Sequence, residues 1–428
     1  MYIYIYFFNT KKFKLKLQNF LFIFLLLYCY IISASQAYSA EVDPGITDTY
    51  IRIGAIMPLT GDNDYYGIHM KKGIDAALAN QIVQGRKIEF EVMDDSSDPI
   101  TTIQAANQLI DKGVFLMLGN IGALQTLELM PVLKANQIPS VGFYTLGDVN
   151  TNDTLNYRPR TTDEVATLVT VVTNTGIKPD QICIFAQNDV FGVAAINGFK
   201  NGLKGFPQTQ TIIDKLDHIL DMTMNGINPA PNNLGPIGFY PHETILIRDG
   251  YLSLKEWERK SGKPCRFVIL VAVPKVAADF IAYSRHKNET WHFGAISATA
   301  AGYALSKHLS NYSINDEIIV TQVVPDLDAS LPIVRDARNS LENDFNHVNL
   351  EGYIAGRLFL AILKSMKEPI TRDNFIKTAY QKPLELGGLK IEFNQENSSG
   401  YKLISLNILE KNTYKPFVIN DSSIARKQ

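Results

Sequence analysis

A chain of 428 residues, 46% of them hydrophobic, has apolar material for roughly two domain-sized cores. Its formal net charge of −2 excludes a global field that would draw it to nucleic acid or to an acidic membrane surface. Three cysteines exclude a disulfide-dense secreted scaffold, so packing has to hold the fold.

The first 40 residues differ in kind from the rest. Lys11, Lys12, Lys14 and Lys16 precede the 13-residue apolar run FLFIFLLLYCYII, after which small and polar residues appear in SASQAYSA. Positive, apolar, then cleavable is the order of a secretory signal peptide over residues 1–40, cut after Ala37 with Ser35 at the upstream small position. The apolar run falls short of the roughly 20 residues a spanning helix needs. Cys29 offers a lipid-anchor alternative, which bulky Tyr28 before it disfavours. The expectation is export to the periplasm of a Gram-negative bacterium. The mature chain then keeps Cys183 and Cys265. Cys183, inside ICIFA, reads as a buried inert thiol; both cysteines accompany neighbouring predicted strands, which leaves a bridge between them as the alternative.

From residue 51 strand and helix alternate. YIRIGAIM reads as a buried strand, GIHMKKGIDAALANQ as a helix, KIEFEVM as a strand, TTIQAANQLIDKG as a helix, VFLMLG as a short strand and ALQTLELMPVLKANQ as a helix. A second series follows: TDEVATLVTVVTNTG helical, QICIFAQ a strand, VAAINGFKNGLKG a helix and TQTIIDKL a strand. CRFVILVAV, VAADFIAYSR and EIIVTQVV continue it. Residues 225–241, NGINPAPNNLGPIGFYP, lack periodicity and read as a loop. Such βαβα order predicts an α/β fold of two doubly wound parallel units in tandem.

The stretch DDSSDP at Asp94–Pro99 has the carboxylate density of a metal cage. It lacks the glycine and the terminal Glu of a calcium loop, and Asp98 before Pro99 reads as an N-cap with proline at the first helical position. The 7 histidines show no metal-ligand spacing, and His69 and His308 fall on polar helix faces. Neither GxGxxG, a Walker loop, GxSxG nor HExxH occurs, so the chain is read as a binder without metal or cofactor and not as an enzyme.

Six segments in order, IRIGAIMPLTGDNDYYGIHMKKGIDAALANQ, QGRKIEFEVMDDSSDP, LIDKGVFLMLGNIGALQT, YRPRTTD, QNDVFG and LEGYIAGRLFLAIL, resemble the leucine/isoleucine/valine-binding branch of the periplasmic solute-binding proteins. Those proteins serve ABC importers and share the type I periplasmic-binding-protein fold. The resemblance runs from about residue 50 to residue 410. It implies two α/β lobes joined by a three-strand hinge and closing over a small-molecule ligand. Lobe 1 would take residues 41–161 and 326–395; lobe 2 would take 162–325 and 396–420, with a loop insertion near 217–250. Crossings would fall near Arg160, Val323 to Asp326, and Phe393. The implied partner is an inner-membrane ABC permease, and a free cleft implies a monomer.

Carried over residue by residue, the resemblance assigns rim aromatics to Tyr66 and Phe191, and a carboxylate-receiving helix start to Gly122 and Ala123. Ala123 replaces the serine of the amino-acid binders. Phe143, Tyr144 and Thr145 match the loop that supplies backbone atoms and a threonine hydroxyl. Asp163 matches a cleft aspartate, and capping of its own helix is the competing reading. Val273 and Ser297 stand where amino-acid binders carry an aromatic and an acid to hold the ligand ammonium. A buried ammonium without a countercharge costs several kcal/mol. The ligand is therefore expected not to be a simple branched-chain amino acid and to be more apolar or lipid-like. An amino-acid or amide binder with rearranged contacts is the alternative, since Asp217, Asp221, Glu243 or Arg248 would point in from the insertion. A ligand-sensing module of the same fold would carry the same residues; a neighbouring permease and ATPase gene separates importer from sensor.

Overall fold

The structure, a computed structural model, describes residues 43–417 apart from 145–147, 149–152, 233–234, 316, 368 and 395–398. The expected leader, Thr145 and the outer limits of the last expected lobe segment at 396 and 420 lie outside the described residues. Six strands make the first sheet: β1 (Tyr50–Met57), β2 (Ile82–Val83), β3 (Arg86–Asp94), β4 (Met117–Leu118), β5 (Ser140–Val141) and β6 (Thr154–Leu155). Their order is β2-β3-β1-β4-β5-β6, parallel except for the hairpin β2–β3.

Further along come β7 (Ile182–Gln187), β8 (Ile237–Tyr240), β9 (Phe267–Val271), β10 (His292–Ala295) and β11 (Ile318–Gln322). A separate hairpin, β12 (Leu384–Leu386) and β13 (Leu389–Ile391), precedes β14 (Ser405–Glu410) and β15 (Thr413–Pro416). The second sheet runs β15-β14-β11-β10-β9-β7-β8, parallel from β11 to β8 and antiparallel at β14 and β15. The parallel parts repeat one another: β3-β1-β4-β5-β6 and β8-β7-β9-β10-β11. In each, the winding reverses beside the first strand, which opens a crevice at the carboxyl ends of the strands there. The central strands β7 and β9 are buried at every residue, the pattern of parallel strands covered on both faces.

Sequence shapes the two crevices alike. The helices Asp64–Leu78 and Val190–Leu203 follow the central strands β1 and β7 and begin with Tyr66-Gly67 and Phe191-Gly192. A Cβ on Gly67 would lie 1.9 Å from the Pro58 carbonyl oxygen, and one on Gly192 would lie 2.0 Å from that of Gln187. Glycine at both places lets each helix start directly over its strand end.

Three stretches of chain connect the sheets: after β6, after β11 and after β13. They touch one another. The Tyr157 hydroxyl donates to the Val323 carbonyl at 2.9 Å, the Gly400 and Tyr401 N–H groups donate to Asn156 and Tyr157 carbonyls at 2.8 and 3.1 Å, and the Tyr157 and Tyr401 rings stack. The helix His347–Ser365 then returns to pack along Asp64–Leu78.

Three expectations are corrected. TQTIIDKL is the start of the helix Gln210–Met224, because Ile212, Leu216, Ile219 and Met222 extend the apolar pattern at helical spacing beyond the eight-residue window. The aperiodic loop and the insertion near 217–250 instead hold β8 and the helix Arg248–Ser261, so the segment is a regular part of the winding. The short strand β8 sits at the sheet edge, where four buried residues suffice. Finally, Cys183 is not a free thiol: it is joined to Cys265 with Cα atoms 5.8 Å apart, since β7 and β9 are adjacent. The reading of DDSSDP holds. Asp98 caps the helix Pro99–Asp111 through Ile100 and Thr101 N–H groups, and Asp94 and Asp95 are taken up by Leu59, Thr60, Ser96, Ser97 and Thr102.

Candidate functional site

The carboxyl ends of the two sheets face one another across a cavity of about 220 Å³. From the first sheet it is lined by Pro58 after β1, Ser96 and Ser97 after β3, Ile121 to Gln125 after β4, and Asp62, Asn63, Tyr65 and Tyr66. From the second come Gln187 and Asp189 at the end of β7, Tyr240 and His242 to Ile245 at the end of β8 and Val273 to Val276 after β9, with Ala304 and His308. Contacts also cross it directly. The Tyr66 hydroxyl donates to the Ala298 carbonyl at 2.8 Å, the Tyr65 hydroxyl accepts from the Tyr303 N–H at 3.3 Å, and Lys275 Nζ lies 3.5 Å from Asp62.

The first wall offers a helix end. Gly122, with φ of 106°, is the N-cap of Ala123–Ala135, no side chain caps that helix, and its first-turn residues line the cavity. Uncapped N–H groups and the positive end of the helix dipole suit a negative ligand group there. The opposite wall is tied together: the Tyr240 hydroxyl donates to Gln187 Oε1 at 2.6 Å and accepts from the Val273 N–H at 3.1 Å. Gln187 Nε2 donates to Asp189 Oδ2 at 2.6 Å, Phe191 N–H donates to Asp189 Oδ1 at 2.9 Å, and His242 Nε2 lies 3.9 Å from Asp189. Burial pushes the Tyr66 and Tyr240 phenols well up, so both stay neutral hydrogen-bonding groups, and it lowers the His308 imidazole.

Of the residues picked from sequence, Tyr66, Gly122, Ala123 and Val273 line this cavity together. Phe191 is fully buried in the main core, as the first-turn helix aromatic under β7, and does not line the cavity. Phe143 is buried in a smaller apolar cluster on the other face of the first sheet's strands, with Leu129, Leu133 and Ile138. Tyr144 sits one layer behind Tyr66, ring centroids 5.5 Å apart. Asp163 neither caps its helix nor faces the cavity: the cap is Arg160, and Asp163 pairs with that arginine at 2.9 Å on the exposed side. The next residue, Glu164, is the buried acid. His308, read as solvated, lines the cavity, and Asp217 pairs with Lys200 on an outer helix.

Ser297 belongs to a buried network that sequence reasoning missed. Arg158 Nη2 donates to Ser297 Oγ at 2.7 Å and lies 3.4 Å from Glu164; Arg158 Nη1 lies 3.4 Å from Glu351. Glu164 also accepts from the Ser297 N–H at 2.8 Å and from the Ser297 and Thr321 hydroxyls. The Arg158 guanidinium covers the Tyr144 ring at 4.4 Å. Burial pushes the Glu351 carboxyl up to about 7 against the pull of Arg158, whereas at Arg158 burial is outweighed by Glu351, Tyr144 and Glu164, which together hold the guanidinium more firmly protonated. The signal was present in LEGYIAGRLFLAIL, where Glu351 and Arg357 are the two charged residues of a mostly apolar helical run. Among the described residues no group of three or more His, Cys, Asp or Glu is placed to hold a metal, and no helix is long and apolar enough to cross a membrane.

Residues 50–213 match the sequence profile of the family described as periplasmic binding protein. Among solved structures, a possible leucine/isoleucine/valine-binding protein from Rhodopirellula baltica superposes with a TM-score of 0.74 at 25% identity, over 89% of this chain and 98% of the other. A fatty acid ABC transporter substrate-binding protein from Thermomonospora curvata shares the fold at a TM-score of 0.65 and 12% identity, over 91% and 96% of the two chains. The type I periplasmic-binding-protein fold is thus the fold of this chain. Within that class its similarity is to the Leu/Ile/Val-binding branch: Leu/Ile/Val-binding protein homolog 1 of Brucella abortus is 33% identical over 92 residues, 21% of this chain. That match spans 25% of the length of the Brucella relative.

Proposed function

We propose that the chain is an exported solute-binding protein that captures a small molecule between two hinged lobes and hands it, chemically unchanged, to an inner-membrane ABC permease. The observation that carries this reading is a single cavity walled by the carboxyl ends of two repeated, doubly wound sheets. Sheets connected by three adjoining chain stretches can rotate about those stretches, and a ligand touching both walls draws them together. The three crossings serve as the hinge, at residues 156–160, 322–331 and, among the described residues, 392–394 and 399–404.

The wall chemistry favours a polar solute over the apolar one expected from Val273 and Ser297. Asp189 and Glu243 bring carboxylates to the second wall, opposite the helix start at Gly122 and Ala123. Leu124, Ile121 and Val273 leave room for a short apolar body. A small solute with an amine or amide donor at one end and an acceptor-rich or anionic group at the other fits this distribution, which is the amino-acid or amide binder with rearranged contacts.

A thermal-shift screen of the mature chain against amino acids, amides, aromatic acids and lipid-like solutes tests it, because a ligand of the folded state raises melting by mass action. Amine- or amide-bearing solutes should raise melting. Ala123→Trp should abolish the shift, and Glu243→Gln should weaken it, while the unliganded proteins melt as before. Shifts confined to lipid-like solutes would overturn the ligand class; shifts untouched by Ala123→Trp would overturn the cleft itself.

A further inference from the structure

Three carboxylates line the cleft: Asp62, Asp189 and Glu243. Two of them stand in water. The Asp62 side chain is 82% exposed and lies 3.5 Å from Lys275 Nζ, and Glu243 is exposed on the loop after β8. Asp189 differs. Its side chain lines the cavity while only 8% exposed, and among the described residues no lysine or arginine pairs with it. His242 Nε2, at 3.9 Å, lies beyond hydrogen-bonding reach.

Helix capping accounts for half of this carboxylate. Asp98, a cap elsewhere in the chain, gives both oxygens to the first turn of its own helix. Asp189 gives only Oδ1, to the Phe191 N–H, and its Oδ2 is held by Gln187 Nε2 at the end of β7. Tyr240 fixes which end of that amide faces Asp189. Its hydroxyl accepts from the Val273 N–H and gives its one proton to Gln187 Oε1, so Nε2 is left for Asp189. Neutral donors orient a carboxylate without cancelling its charge, and a helix start offsets only about half a unit. A countercharge brought against such a group acts about four times as strongly at an effective dielectric of about 20 as it would in water. Neither position at which the resemblance puts ammonium recognition supplies that charge: Val273 is apolar, and Ser297 is buried in the Arg158 network.

We propose that Asp189 is the residue that selects the solute, taking a protonated amine in preference to an amide or a hydroxyl, with Gln187 as the residue that positions it. This rests on the reading of the cleft as a solute-binding site and narrows it from amine or amide donors to cationic ones. Glu243, in water, adds less than Asp189 does.

Calorimetric titration of the mature chain with the common amino acids, each against the 2-hydroxy acid that carries a hydroxyl in place of the amine, tests the assignment. At least one amino acid should bind, and its hydroxy acid should bind roughly thirtyfold more weakly, the weight of one hydrogen bond to a charged group. Asp189→Asn and Asp189→Ser both keep a capping oxygen, so the unliganded proteins should melt as the parent does. Each variant should bring the pair to about equal affinity by weakening the amino acid alone. A hydroxy acid that binds the parent as tightly as its amino acid, or a preference that survives in both variants, would overturn the role of Asp189 and leave the solute-binding reading standing. Binding of amides or lipid-like solutes without any amino acid would do the same, whereas no binding by any solute class would remove both.

Discussion

Replacing Glu351 with glutamine sets burial against ion pairing at one side chain. Two carboxylates, Glu164 and Glu351, share the Arg158 guanidinium in a site where all three are buried. At an effective dielectric of about 20, a pair 3.4 Å apart gains roughly 5 kcal/mol of attraction, the same order as the several kcal/mol that each ion loses on leaving water. Glu164 is further supplied by Ser297 and Thr321; among the described residues Glu351 has Arg158 alone and the repulsion of Glu164 besides. Desolvation therefore wins at Glu351, and its carboxyl rises from 4.5 to about 7. That difference corresponds to about 3 kcal/mol. A folded pKa above the unfolded one means that stability is fully present below about pH 4.5 and is lost as pH rises through about 7. Glutamine mimics the protonated acid at every pH. By urea denaturation, Glu351→Gln should match the parent near pH 4.5 and exceed it by about 3 kcal/mol near pH 8. Burial lowers His347 to about 4, which gives a slope of the opposite sign in both proteins, so the difference between them isolates Glu351. A variant less stable than the parent at both pH values would refute the reasoning and show that the bond to Arg158 outweighs burial.

Reducing the Cys183–Cys265 bridge, or replacing both cysteines by alanine, reopens a loop with a sequence separation of 82 residues and should cost about 4 kcal/mol in denaturant unfolding; an unchanged midpoint would mean that the bridge does not form. Asp98→Ala should lower the melting temperature by removing the cap of Pro99–Asp111, and Asp98→Asn should restore most of the loss, whereas equal losses would point to charge and not capping. Tyr66→Phe removes the hydroxyl that reaches the Ala298 carbonyl across the cleft and should shift the closing equilibrium about fivefold toward open, read by small-angle scattering or inter-lobe energy transfer; no shift would remove that bond from the closing mechanism.

Most of the fold was legible because burial on both faces of a parallel sheet leaves long apolar runs, and because helix starts such as Asp98-Pro99 carry their caps in sequence. Where reading failed, a short window met a competing pattern. TQTIIDKL alone holds β-branched residues suited to a strand, and only Ile219 and Met222 beyond it reveal the helical period. β8 hid within residues 225–241 because four residues among prolines and glycines are too few to display a period, yet one neighbour, β7, is enough to hold an edge strand. The disulfide was legible only as a possibility of adjacency, since the strand order that puts β7 beside β9 is a tertiary fact.

The site divides along the same physical line. Gly122, Ala123 and Val273 follow within a few residues of strand ends and Tyr66 opens the helix that follows β1, so topology carries them to the cavity. Asp163 and Glu164 are neighbours on one helix, and the 100° between them decides which carboxylate is buried; Asp163 turns to Arg160 in solvent and Glu164 to Arg158 inside. Phe191 repeats Tyr66 in position but not in outcome, because a ring with no hydroxyl gains nothing from reaching a carbonyl across the cleft and packs wholly into the core under β7. The second wall then depends on Gln187, Asp189 and Tyr240, which hydrogen-bond to one another and to the Val273 backbone. Its polarity therefore comes from three separate strand ends, a convergence that no single segment of the sequence contains.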